Sequence, residues 1–107
     1  MFITKRKTYS VYIMTNKKNA GLYTGMINNI NKRNFQHKNK IFENSFTKKY
    51  NVDKLVYFEN LDTLDSSIRR EKQIKAGSLA KKIELINKNN KEWIDLSDNF
   101  WRLLNPL

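Results

Sequence analysis

Residues 9–26 read Tyr9-Ser10-Val11-Tyr12-Ile13-Met14-Thr15, then Asn16-Lys17-Lys18-Asn19-Ala20-Gly21, then Leu22-Tyr23-Thr24-Gly25-Met26. The first run alternates two sets of side chains, Tyr9/Val11/Ile13 against Ser10/Tyr12/Met14, which predicts a strand with one strongly apolar face. The middle run carries turn chemistry and the last resumes an extended pattern, so the whole stretch predicts a β-hairpin with a long, polar loop.

Working outward, Asn28 and Asn29 are suited to cap a helix predicted over about 29–39, with Ile30, Phe35, His37 and Ile41 near one broad face. Residues 40–53 are a polar connection with scattered aromatics (Phe42, Phe46, Tyr50) and no assigned secondary structure. Lys54 to Glu59 is apolar on both faces through Leu55-Val56-Tyr57-Phe58, which predicts a strand covered by helices on at least one side. Asp62 is placed as an N-cap, with Asp65 favouring the positive end of a helix that runs to about Ala76 with Leu64, Ile68, Glu71 and Ile74 along one stripe. Gly77 stops it, and Ser78 caps another helix through Asn87 with Leu79, Ile83 and Ile86 inward. Trp93, Phe100, Trp101 and Leu103-Leu104 give the C-terminal tail enough apolar surface to dock. The expected order is ββαβαα: an α+β fold, a small three-stranded antiparallel sheet flanked by helices. The expected organisation is a basic tip at 1–8, one domain at 9–96 and a docked aromatic tail at 97–107.

Composition narrows the function. A chain of 107 residues is long enough for one modest core. Twenty-one Lys and Arg against ten acids give a formal charge of +11, which attracts polyanions, nucleic acid foremost, although nucleotide bias alone also produces Lys/Asn-rich chains. The absence of cysteine excludes disulfides and thiolate zinc sites. No apolar run approaches the ~20 residues of a membrane span, and the start is too short and too charged for a signal peptide. A cytoplasmic, DNA-associated protein is expected, with no membrane partner, no small-molecule cofactor, and a monomer or weak dimer as its state.

Five residues stand out. Glu71, among apolar positions of its helix, needs a cation beside it if buried. That cation is either a structural partner such as Arg69, Arg70 or Lys75, or a hard metal ion, for which one carboxylate plus water and phosphate oxygens is the usual Mg²⁺ arrangement. Arg33 and His37 share a helical face at i, i+4. They are either surface or core residues, or a guanidinium fork matched to phosphate with an imidazole to hold a phenol or water. Tyr12 and Tyr23 are either packing residues or active-site phenols, which serve as bases only when helped by nearby positive charge. Gly25 permits close approach or an unusual turn.

On these residues the chain resembles the GIY-YIG endonuclease family, in its small stand-alone branch. The first signature triplet is Ser10-Val11-Tyr12 and the second Tyr23-Thr24-Gly25; Asn28-Asn29-Ile30-Asn31-Lys32-Arg33 with His37 follows, and Arg70-Glu71-Lys72-Gln73-Ile74-Lys75 closes the set. The resemblance covers roughly residues 8 to 96. It implies a nuclease domain that hydrolyses DNA phosphodiesters with one divalent metal ion, Mg²⁺, for which Mn²⁺ substitutes. It implies Tyr12 as general base or its hydrogen-bonded partner, Tyr23 as second phenol, Arg33 on the scissile phosphate, His37 assisting, and Glu71 on the metal. Phosphate-backbone contacts are expected from Lys32, Lys38, Lys48, Lys49, Arg70 and Lys75. Ser10 departs from the family's first Gly, Thr24 from its middle Ile, and Ile27 from a Thr; a Trp is missing around Ala76-Gly77. Activity is expected to survive Ser10 and Thr24, whereas Ile27 weakens a phosphate contact. With no room for an added DNA-binding domain, weak sequence preference is expected, with selectivity for branched, flapped or single-stranded DNA. The alternative is a noncatalytic basic nucleic-acid-binding module on the same fold.

Overall fold

A computed structural model describes residues 8–28 and 54–97. The expected helix over 29–39, with Lys32, Arg33, His37 and Lys38, lies outside the described residues, as do Lys48, Lys49, most of the basic tip, and Phe100, Trp101, Leu103 and Leu104.

Three antiparallel strands, β1 (Tyr9–Thr15), β2 (Leu22–Asn28) and β3 (Lys54–Leu61), form one sheet in the order β2-β1-β3. Two helices follow, α1 (Leu64–Ala76) and α2 (Leu79–Asn89), giving the α+β architecture expected. The central strand corrects one expectation. Its two faces are both buried, not one: Val11 and Ile13 pack with Val56, Tyr57, Ile74 and Ile86, while Tyr12 and Met14 pack with Ile27 and Leu55. Strand alternation sends odd and even residues to opposite faces, so a middle strand needs apolar side chains at both parities.

The hairpin loop is held by Asn16, whose Oδ1 accepts from the backbone N–H groups of Lys18 (3.0 Å) and Ala20 (2.9 Å). Gly21 sits at φ +83°, open to glycine at little cost. β2 runs two residues beyond the expected Met26, to Asn28; the helix that Asn28 and Asn29 are suited to cap lies outside the described residues. On the other side β3 carries a bulge: Tyr57 faces Ile13 and Leu55 faces Met14, leaving Val56 as the extra residue. The segment after α2 covers the backbone there. Leu55 N–H donates to Asp95 Oδ1 (3.2 Å), Leu96 N–H donates to Leu55 O (2.7 Å), and the buried Asn90 amide donates to Val56 O (3.0 Å). These bonds occupy the outer edge of β3, where unpaired groups would otherwise invite another strand.

The N-cap of α1 is Thr63, one residue later than expected. Its backbone is extended and its hydroxyl accepts from Ser66 N–H (3.1 Å), which orders the first turn ahead of anything Asp62 offers. Gly77 and Ser78 end α1 and cap α2 as expected, the Ser78 hydroxyl accepting from Lys81 N–H (3.1 Å). α2 extends to Asn89, past the expected Asn87. Leu79 is 61% exposed rather than inward, because it starts the helix at the corner, about two turns before Ile86, which meets the sheet. Leu64, also placed on an inner stripe, is exposed.

A polar clasp joins α1 to β3. Arg70 Nε donates to Glu59 Oε1 (2.5 Å), the Tyr57 hydroxyl donates to Glu59 Oε2, and Arg70 Nη1 donates to Gln73 Oε1 (2.7 Å). Burial, then the hydrogen bond and charge of Glu59, push the Tyr57 phenol up to about 12, and Arg70 draws it part of the way back. An acid whose folded pKa is raised binds its proton more tightly in the native state. The neutral phenol therefore adds stability that is whole below about pH 10 and fades as the pH climbs through the folded value. Denaturant midpoints should fall between pH 10 and about 12, and Tyr57→Phe should flatten the fall. A wild-type midpoint level across that interval would contradict the Tyr57–Glu59 contact.

Candidate active site

Tyr12 stands directly opposite Gly25 across the β1–β2 pair. Directly paired residues in antiparallel strands bring their Cβ atoms to about 4.5–5.5 Å, so a glycine there leaves a hollow for its neighbour's side chain. The Tyr12 ring fills that hollow. A methyl group at Gly25 would lie 2.6 Å from Tyr12 Cζ and 3.1 Å from Cε1, with Oη nearer still. The close approach that Gly25 permits is thus that of the Tyr12 phenol. Tyr23, two residues before Gly25, shares the face; the two rings lie 6.3 Å apart between centroids, tilted by 42°, inside the range at which aromatic pairs attract.

Helix α1 packs against β1 and β2 and carries Glu71. The Glu71 side chain is 22% exposed, and Lys75 Nζ stands 3.6 Å from its Oε2. Lys75 is therefore its ion-pair partner; Arg70 is turned to Glu59 instead. At that distance, with Lys75 half exposed, the pair is a weak surface contact that a stronger cation can displace. Burial pushes the Tyr12 phenol well above its ordinary value, and the neighbouring Tyr23 and Glu71 charges add to the push. Glu71 thus lies within electrostatic reach of Tyr12. The fold gathers Tyr12, Tyr23 and Glu71 from β1, β2 and α1, while Arg33 and His37 lie outside the described residues.

The departures from the family pattern have local explanations. Ser10 is fully buried and donates to Asn60 Oδ1 (2.5 Å), so its hydroxyl is satisfied inside the sheet. Thr24 is buried opposite Ile13. Ile27 is buried in the same cluster as Tyr12 and Met14, a packing position rather than a surface one.

Glu71 offers a hard, partly solvent-open carboxylate within electrostatic reach of a phenol. That donor suits an ion which keeps most of its ligands as water and phosphate oxygen; among the described residues no group of three or more His, Cys, Asp or Glu forms an all-protein cage. Of the cations expected to meet phosphate, Lys75 flanks Glu71 and Arg70 is bound in the clasp. That clasp was missed at the sequence level. Tyr57 and Glu59 share a strand face at i, i+2 just ahead of a helix bearing Arg70, and this spacing was the available signal.

The GIY-YIG catalytic domain family matches residues 8–84. A UPF0213 protein of Syntrophus aciditrophicus is 41% identical over 68 residues, 64% of this chain and 78% of the relative. Another UPF0213 protein, from Staphylococcus saprophyticus, is 39% identical over 70 residues, 65% of this chain and 84% of the relative. No solved structure shows significant similarity. Among the described residues no helix is long and apolar enough to cross a membrane. A GIY-YIG domain implies nuclease-type hydrolase activity with DNA as substrate, generally with a divalent metal. With three of its signature side chains drawn together and the family's catalytic domain matching most of its length, the chain belongs to the GIY-YIG family.

Proposed function

We propose that the protein is a metal-dependent endonuclease that hydrolyses DNA phosphodiester bonds with little sequence preference, favouring branched, flapped or single-stranded DNA. The observation that carries this reading is Glu71 within electrostatic reach of a Tyr12 phenol seated on Gly25 beside Tyr23. Glu71 is the residue that would hold Mg²⁺ or Mn²⁺, and the bound ion would offset charge on the phosphate and lower the pKa of coordinated water. Displacing Lys75 from Glu71 frees a cation at the site's rim for a phosphate oxygen.

Tyr12 enters the reaction as a neutral phenol, since burial, Tyr23 and Glu71 all disfavour its anion. Of its two expected roles this supports the hydrogen-bonding partner that orients the attacking water, with Tyr23 as second phenol and His37 assisting. Arg33 clamps the scissile phosphate, where a fixed guanidinium stabilises the charge that builds on the nonbridging oxygens. Lys32, Lys38, Lys48 and Lys49 serve the DNA backbone, and such contacts carry no base information. The nuclease unit in this reading is 9–96, with the basic 1–8 tip ahead of it and the 97–107 tail docked against it.

Incubating labelled duplex, flap and junction DNA with Mg²⁺ or Mn²⁺ tests the proposal. Glu71→Ala should lower cutting by about a hundredfold or more, and Arg33→Ala should lower turnover far more than binding. DNA bound but never cut with metal would instead favour a noncatalytic binding module. Gly25→Ala should displace the Tyr12 ring, costing about 1–3 kcal/mol of stability as overpacking does, and should slow cutting at least tenfold in protein that remains folded. A wild-type rate in that variant would dissociate the Tyr12 position from catalysis.

A further inference from the structure

Helix α1 has a second flank. At about 3.6 residues per turn, Glu71 and Lys75 fall on one side of its buried Ile74, and Arg70 and Gln73 fall on the other. Between that second flank and α2 runs a groove of about 560 Å³, with Ile74 and Leu85 along its floor and Lys81, Lys82 and Lys88 on its wall. It continues past Arg70 and Gln73 into a hollow of about 480 Å³ beside Arg69. Glu71 lines neither part.

Among the described residues the charge in this groove is not neutralised. Arg70 is taken by Glu59, but Arg69, Lys81, Lys82 and Lys88 form no ion pair among the described residues. Glu84 is the one acid among the groove's described lining residues, so four free cations face one carboxylate. Lys81 and Lys88, seven residues apart on α2, are separated by about 10 Å of helix axis. That span equals about three base steps of 3.4 Å measured along the axis of a duplex.

We propose that this groove is a second phosphate-backbone site, holding an arm or strand of nucleic acid other than the one presented to Glu71. It deepens the nuclease reading and rests on it for the identity of the ligand. The two surfaces stand about one helix diameter apart, 10–12 Å. The two surfaces flank α1 on either side of Ile74, so a forked substrate places one arm on each. The selectivity for flaps and junctions then has a physical source in the body of the domain.

The test measures binding of flap DNA against salt, with the full chain carrying Glu71→Gln to prevent cutting. Replacing Lys81, Lys82 and Lys88 together by Gln should lower the log–log salt slope by about one unit per lysine. Replacing the exposed Lys17, Lys18 and Lys91, an equal loss of charge elsewhere, should lower it by less than about one unit in all. Glu84→Gln should tighten flap binding with no risk to the fold. In the Glu71-intact chain the groove triple should lose cutting of flap DNA more than cutting of linear duplex. An unchanged slope in the groove triple, or an equal fall in both triples, overturns the proposal. So does a groove triple that loses binding to poly-glutamate but not to flap DNA, which assigns the groove to an acidic protein. Groove-dependent flap binding without any metal-stimulated cutting by the wild-type chain supports the groove and sinks the nuclease reading; cutting that ignores the groove does the reverse.

Discussion

The contact between the Tyr12 ring and the bare Cα of Gly25 fixes the rest of the site. A side chain at position 25 would occupy the space of the phenol itself, and Tyr12 would have to leave the sheet surface. The ring lies over Gly25 of β2, with the Tyr23 ring 6.3 Å away on the same face. The same seat removes the phenol from water, leaving it 4% exposed, which holds its proton on. Geometry and protonation state thus have one cause. In the proposed reaction this favours a neutral, oriented Tyr12 hydroxyl.

Glu71 depends on a different set of restraints. Ile74 packs beneath the sheet, and on the neighbouring turn Arg70 is tied to Glu59 of β3. The first contact sets the depth of α1 and the second its rotation about its axis. A helix free to roll by one residue, about 100°, would carry Glu71 away from Tyr12. The β3 strand is in turn held along its outer edge by Asn90, Asp95 and Leu96, at the bulge where Val56 breaks the ladder. These contacts hold α1, and with it Glu71, against the sheet.

The hairpin and the α1–α2 corner were legible in the sequence because each has local chemistry behind it: alternation in β1, the Asn-rich loop, and Gly77-Ser78 at the corner. The signature residues Tyr12, Tyr23, Gly25 and Glu71 were legible as an ordered set. What was hidden depends on contacts between distant segments. Leu55-Val56-Tyr57-Phe58 is apolar at every position, so its alternation gives no sign that Val56 is an inserted residue. Leu79 has the same spacing as Ile86 and differs only in what lies beneath it. The pairing of Arg70 with Glu59 joins residues eleven apart and has no signal within α1 alone, and the second buried face of β1 follows only from its central place in the sheet.

The most direct measurement is paramagnetic broadening of backbone amide resonances by Mn²⁺ in the full-length wild-type chain and in Glu71→Gln. Broadening should centre on Glu71 and reach Tyr12 and Gly25, and the substitution should abolish it. Broadening centred elsewhere, or equal in both chains, would contradict a reaction site assembled from β1, β2 and α1.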